Sequence, residues 1–193
     1  MTENRWRVTT LADEALMAET AEQYRGILAR HVTAEWCANE ALPIATRFYR
    51  DDPPWRIFLL LTPWMLARLF FARECPDGLA LPQSGKTVAE WTEEAELYQL
   101  GPVFSFVMHG QTQKAHLQSS AVLGHFLLQP LILNMEPYTC ADGAFAAWSD
   151  TVVRRDALMA SMKRHCGWQK EVSRRELFGR APEIRSDRLS QPF

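Results

Sequence analysis

A chain of 193 residues with 47% hydrophobic and 23% charged residues can bury one sizeable core, which excludes a wholly disordered protein. A formal net charge of −2 offers no global attraction to nucleic acid or to an anionic membrane surface. No apolar run reaches the roughly 18–20 residues that span a bilayer, because Pro63 and Arg68 interrupt the longest one.

From Leu11 to His31 the apolar Met17, Ala21, Tyr24 and Leu28 recur at helical spacing among Glu14, Glu19, Glu22 and Arg25, which predicts an amphipathic helix. Pro43 closes a mixed segment holding Trp36 and Cys37, and Ile44 to Tyr49 then reads as a strand. Asp51-Asp-Pro-Pro54 is a turn signal and Trp55 to Leu61 a second strand, so the pair predicts an antiparallel hairpin. This strand must stop at Thr62, since a proline disfavours helix at the residue before it. Pro63 can itself open a helix, so a strand-to-helix corner is expected at Trp64-Met65, with a short helix over Leu66 to Phe71.

Glu74 to Lys86 is rich in Pro and Gly and reads as loop, and Thr87 to Leu97 as a short helix. Val103 to Met108 and Lys114 to Ser119 flank His109-Gly-Gln-Thr112, a second hairpin with Gly110 free to adopt a positive φ. Leu123 to Leu133 is apolar around Pro130 and fits no single element. A last helix runs from about Asp142, a candidate N-cap, to Met162, with Phe145, Trp148, Val152 and Met159 on one face. The order predicts one α+β domain over residues 1–180: an antiparallel sheet of two hairpins with flanking N- and C-terminal helices. A flexible tail is expected over residues 181–193.

Motifs with chemical promise fail on their context. Ser84-Gly-Lys-Thr87 resembles the end of a phosphate-binding loop, but Ala80 stands where the leading glycine is needed and Pro82 interrupts the amide cradle. Ser173-Arg-Arg-Glu-Leu-Phe178 resembles a twin-arginine export motif, yet a polar tail follows it. Cys37, Cys75, Cys140 and Cys166 include no pair at zinc-ribbon spacing, and His109, His116 and His125 share no zinc-ligand spacing. No serine elbow or cysteine–histidine pair with an orienting carboxylate is present, so no catalytic residue is assigned. The stretch from Met1 to Arg7 is polar where a signal peptide would be apolar, and the expected location is the cytoplasm, with reduced cysteines. Trp64 and Met65 are residue types that fill cores and also anchor peptide-binding surfaces.

Several landmarks stand in a consistent order: Ala29-Arg-His31, Leu42-Pro43, Thr62-Pro-Trp-Met65, Leu81-Pro82, the segment from Gly101 to Ser120, and Arg174-Arg175 followed by Leu177-Phe-Gly-Arg180. In these the chain resembles the HybE/HupJ family of [NiFe]-hydrogenase assembly chaperones from about Ala29 to Arg180. The Thr-Pro-Trp-Met corner and the closing Arg-Arg with Phe-Gly-Arg are the specific parts. The loop with Cys75 and Gly78 is longer than the family pattern, and the paired cysteines of rubredoxin-fused members are absent. The chain therefore looks like a divergent branch, of the HoxT type.

The resemblance implies a non-catalytic, secretion-chaperone-like maturation factor without metal, nucleotide or redox cofactor. It implies cytoplasmic binding of hydrogenase small-subunit or large-subunit precursors, alongside other maturation factors, until cofactor insertion, assembly and twin-arginine export. The residues expected to meet the partner are Trp64, Met65, Arg174, Arg175, Phe178 and Arg180. Two other classes compete: a metal carrier or enzyme of the same pathway using Cys37 or Cys75 as thiolates, and an unrelated α+β protein-binding module.

Overall fold

The computed structural model describes residues 6–31, 38–76 and 100–165. The chain divides into two compact units, Met1–Ser149 and Asp150–Phe193. The first contains helix α1 (Asp13–His31), six strands and the first turns of helix α2 (Ala141–His165). In the second, the described residues continue α2, where Arg155 pairs with Asp156 at 3.0 Å.

Helix α1 buries Leu16, Thr20, Tyr24 and Ile27, a stripe at steps of four, four and three. The Thr20 hydroxyl sits in this stripe without penalty because it donates to the Leu16 carbonyl at 2.7 Å. Asp13 and Glu14 in the first turn complement the positive end of the helix dipole.

The strands are β1 (Ala45–Asp52), β2 (Trp55–Thr62), β3 (Met65–Ala72), β4 (Val103–Met108), β5 (Gln111–Ser120) and β6 (Gly124–Ile132). They form one antiparallel sheet in the order β1-β2-β3-β6-β5-β4. Both expected hairpins are present, and each is extended by a third strand into a meander. The two meanders join through β3 and β6.

The segment expected as a short helix, Leu66 to Phe71, is instead strand β3. Proline at the second position of a tight turn is as favourable as proline opening a helix, so Pro63 alone does not choose between them. Strand pairing chooses. Thr62 faces Met65 and Trp55 faces Ala72 across a two-residue turn, while β6 covers the other edge of β3. Met65, Ala67, Leu69 and Phe71 then bury one face, and Leu66, Phe70 and Ala72 the other. Helix formation would leave no polar side for water.

Thr62 fastens that turn. Its buried hydroxyl accepts from the Met65 amide at 3.0 Å and the Trp64 amide at 3.4 Å, and donates to the Met65 carbonyl at 3.1 Å. Thr62→Val keeps the shape and removes these bonds, so stability should fall by about 1–3 kcal/mol in chemical denaturation. An unchanged midpoint would mean that strand pairing alone holds the turn.

The undecided segment around Pro130 is strand β6. Its register with β3 shifts between Leu66–Ile132 and Ala67–Pro130, so the proline lies beside an irregularity, where a missing amide is tolerated. Helix α2 begins one residue before Asp142, which lies in its first turn rather than at the cap.

The two sides of the sheet are covered differently. α1 packs on the side bearing Phe58, Leu60, Met65, Leu69, Phe71, Phe126 and Leu128. On the other side the start of α2 brings Ala144 and Phe145 against Leu59, Leu61 and Leu66, with Leu42 and Met135. That side is also curled, because the β4–β5 turn reaches the β1–β2 turn although β1 and β4 are opposite edges: His109 Nε2 lies 2.6 Å from Asp52 Oδ2. Phe106 accordingly meets Trp55 with ring centroids 5.2 Å apart.

Candidate protein-interaction site

Strand β1 carries the most unusual backbone among the described residues. Arg47 pairs with Leu59 and Arg50 with Ile57, so three steps on β1 answer two on β2. The extra residue is a β-bulge, and Phe48 within it has φ 59°. A bulky side chain in that region costs on the order of 1–3 kcal/mol and persists only where its surroundings enforce it.

The sequence Arg47-Phe-Tyr-Arg50 shows what enforces it. Plain alternation would put Arg47 with Tyr49 on one face and Phe48 with Arg50 on the other. The bulge places both arginines on the α2 side instead and turns Tyr49 toward the α1 core, against which it packs. Tyr49 there bonds Asp13, which lowers the Asp13 carboxyl, while burial and Asp13 push the phenol up to about 12. Phe48 is left 60% exposed.

Charged and aromatic groups surround it. Phe48 meets Phe145 edge-on at 5.6 Å, and the Arg47 guanidinium lies over the same Phe145 ring at 4.9 Å while pairing with Asp142. Arg68 lies over Trp148 at 5.6 Å. Arg50 pairs with Asp52 at 3.0 Å. Arginine and aromatic side chains on a rigid sheet edge are the groups that supply most of the binding energy at protein interfaces. Nothing in the cluster is a nucleophile with an adjacent base.

The residues expected from the sequence are placed as follows. Trp64 is half-buried in the β2–β3 turn and stacks on Tyr24 at 6.5 Å, and Met65 is 6% exposed beneath it. The turn is therefore a strand-to-strand hairpin, not the strand-to-helix corner anticipated. Asn39 braces it: its amide donates to the Pro63 carbonyl at 2.8 Å, and its side chain donates to the carbonyls of Met135 and Tyr138. Arg174, Arg175, Phe178 and Arg180 lie outside the described residues, as do Cys37, Cys166, the Ser84–Thr87 loop, the helix expected over Thr87 to Leu97 and the tail after residue 180. Cys75 and Cys140 are exposed free thiols. Among the described residues no three His, Cys, Asp or Glu side chains group to hold a metal ion, and no helix is long and apolar enough to cross a membrane. Sequence reasoning missed Phe48, whose only signal was the conflict between its flanking arginines and strand alternation.

A family model described as "[NiFe]-hydrogenase assembly, chaperone, HybE" matches residues 15–180. The chain belongs to that family. The solution structure of HybE from Escherichia coli is similar in fold, with a TM-score of 0.51 and 11% sequence identity over 79% of this chain and 81% of that one. No curated protein matches the chain in sequence. The family is one of assembly chaperones, and among the described residues the chain has the α+β make-up of one antiparallel sheet and two helices.

Proposed function

We propose that this HybE-family chain binds [NiFe]-hydrogenase subunit precursors, small or large, and holds them in the cytoplasm for cofactor insertion and assembly before export. It works with other maturation factors and performs no catalysis. The observation that carries this is Phe48, an aromatic side chain held in a strained bulge, facing solvent between Arg47 and Arg50. Strain of that size persists where the surroundings enforce it, and here the bulge that buries Tyr49 also turns the Phe48 ring out to solvent. The half-buried Trp64, packed with Met65 on the α1 side of the sheet, offers a separate apolar contact on the face opposite Phe48. Arg174, Arg175, Phe178 and Arg180 complete the proposed contact set from the C-terminal segment.

Phe48→Ser tests this directly. Truncation of an aromatic anchor costs about 2 kcal/mol or more of binding, so capture of each purified precursor should weaken about 30-fold. The melting temperature should fall only slightly, because Phe48 is 60% exposed and its ring contact is the one edge-on approach to Phe145 described above. Binding equal to the parent's for both precursors would remove Phe48 from the interface. A matching loss of stability would make its role structural.

A further inference from the structure

At the curled end of the sheet the rings of Trp55, Phe70 and Phe106 gather with centroids 5.1, 5.2 and 6.1 Å apart. Trp6 covers them, edge-on to Trp55 at 6.5 Å. The segment that carries Trp6 is neither strand nor helix before α1 begins. Its hold on the sheet is local. The Arg7 amide donates to His125 Nδ1 at 2.6 Å, the Arg7 carbonyl accepts from the His125 amide at 2.8 Å, and the Arg7 guanidinium donates to Ser119 Oγ at 2.9 Å. Arg56 donates to the carbonyls of Thr9 and Leu11 further on.

The seat is shaped for a passing backbone. Gly124 has φ 68°, and a Cβ there would overlap the Arg7 carbonyl. His125 engages the amide and carbonyl of a single residue, so recognition falls on main chain plus the aromatic ring that precedes it. The segment nonetheless fits imperfectly. Because Nδ1 accepts the Arg7 amide, the ring proton is assigned to Nε2, and His125 is 4% exposed. Both that Nε2 and the Trp6 indole Nε1 are buried without a hydrogen-bond partner among the described residues. Buried donors left unpaired weaken the arrangement that contains them.

We propose that this seat binds an extended, aromatic-bearing segment of a subunit precursor, and that residues 6–9 occupy it as an exchangeable stand-in. A segment that also brings a carbonyl or carboxylate oxygen to His125 Nε2 binds better than the stand-in does. Immature chains expose extended apolar segments that folded ones bury, which suits them as occupants. The identity of the partner rests on the function proposed above; the seat does not.

The test uses full-length protein and a fluorescent synthetic peptide of residues 6–12. Trp6→Ala empties the ring pocket, and Arg7→Pro removes the amide donor while leaving the aromatic rings alone. A site freed of its internal competitor gains apparent affinity by the fraction unmasked. The peptide should therefore bind both variants about ten-fold tighter than the parent, and Gly124→Ala added to either variant should abolish the gain. Purified precursor should likewise bind the variants about ten-fold tighter and be displaced by unlabelled peptide. Variants that remain folded by circular dichroism yet bind no peptide would overturn the seat. Precursor binding equal in parent and variants, with peptide bound, would overturn the exchange. Peptide bound by the variants while no precursor binds any form would uphold the seat and overturn the chaperone function instead.

Discussion

Phe71→Ala is expected to cost about 3–5 kcal/mol, the range for an aromatic side chain removed from a packed core. Phe71 is fully buried on the α1 side of β3. It stacks on Phe58 with centroids 5.5 Å apart and on Phe126 at 4.7 Å, so one ring links β2, β3 and β6. β3 is the strand that joins the two meanders, and a hole there weakens the sheet at its seam. Urea denaturation followed by far-ultraviolet circular dichroism measures the loss. A cost below about 1.5 kcal/mol would show that α1 settles into the space, since the penalty depends on how far a site can collapse.

Acid should weaken the protein through His125. Burial, with the Arg7 charge adding to it, lowers its pKa from 6.5 to about 4. The neutral ring accepts the Arg7 amide, and a proton on Nδ1 would break that bond. Between pH 6.5 and 4 the unfolded chain binds a proton that the folded one refuses. Stability is therefore whole above pH 6.5 and falls as pH drops toward 4. With residues 6–9 held in place the loss integrates to on the order of 3 kcal/mol, and their exchange out of the seat would cap it at about 1.4 kcal/mol, the free energy of a ten-fold unmasking. His125→Phe should be less stable at pH 7, because the Arg7 amide loses its acceptor, and its stability should fall less steeply from pH 6.5 to 4. Denaturant midpoints at pH 7.0, 5.5 and 4.5 decide the matter. Parallel pH profiles for parent and variant would place the acid sensitivity elsewhere.

Much of the fold is legible in local pattern. Helix α1, the Asp51–Pro54 turn and the His109-Gly110 turn each depend on a few neighbouring residues and are present as expected, with positive φ at both His109 and Gly110. The buried face of α1 is rotated from the expected one: Ala21 and Tyr24 are buried, but Met17 and Leu28 are only partly so, and Leu16, Thr20 and Ile27 take their place. The segments whose local pattern does not identify them, Leu66 to Phe71 and Leu123 to Leu133, are the two strands that pair with each other at the seam. Each is apolar on both faces, so neither shows the alternation that separates strand from helix in a sequence. Paired residues of the two strands lie from 57 (Phe70 and Leu127) to 66 (Leu66 and Ile132) positions apart, where no short window reaches.

The candidate site divides in the same way. Thr62-Pro-Trp-Met65 is conspicuous as a sequence and points to the family, which the match over residues 15–180 shows. What the motif does physically, bracing a hairpin with Thr62 rather than opening a helix, depends on strand pairing. The conflict of Arg47-Phe-Tyr-Arg50 with strand alternation is visible in the sequence, but a bulge is a mismatch of counts between two strands, so only the pairing with β2 shows that Phe48 is the residue turned out. The seat of Trp6 likewise needs the sheet to curl until Phe106 meets Trp55. The sequence by itself determined composition class, most local elements and the family. Tertiary structure alone decided register, curvature and the exposure of each aromatic ring, because these are set by contacts between residues far apart in the chain.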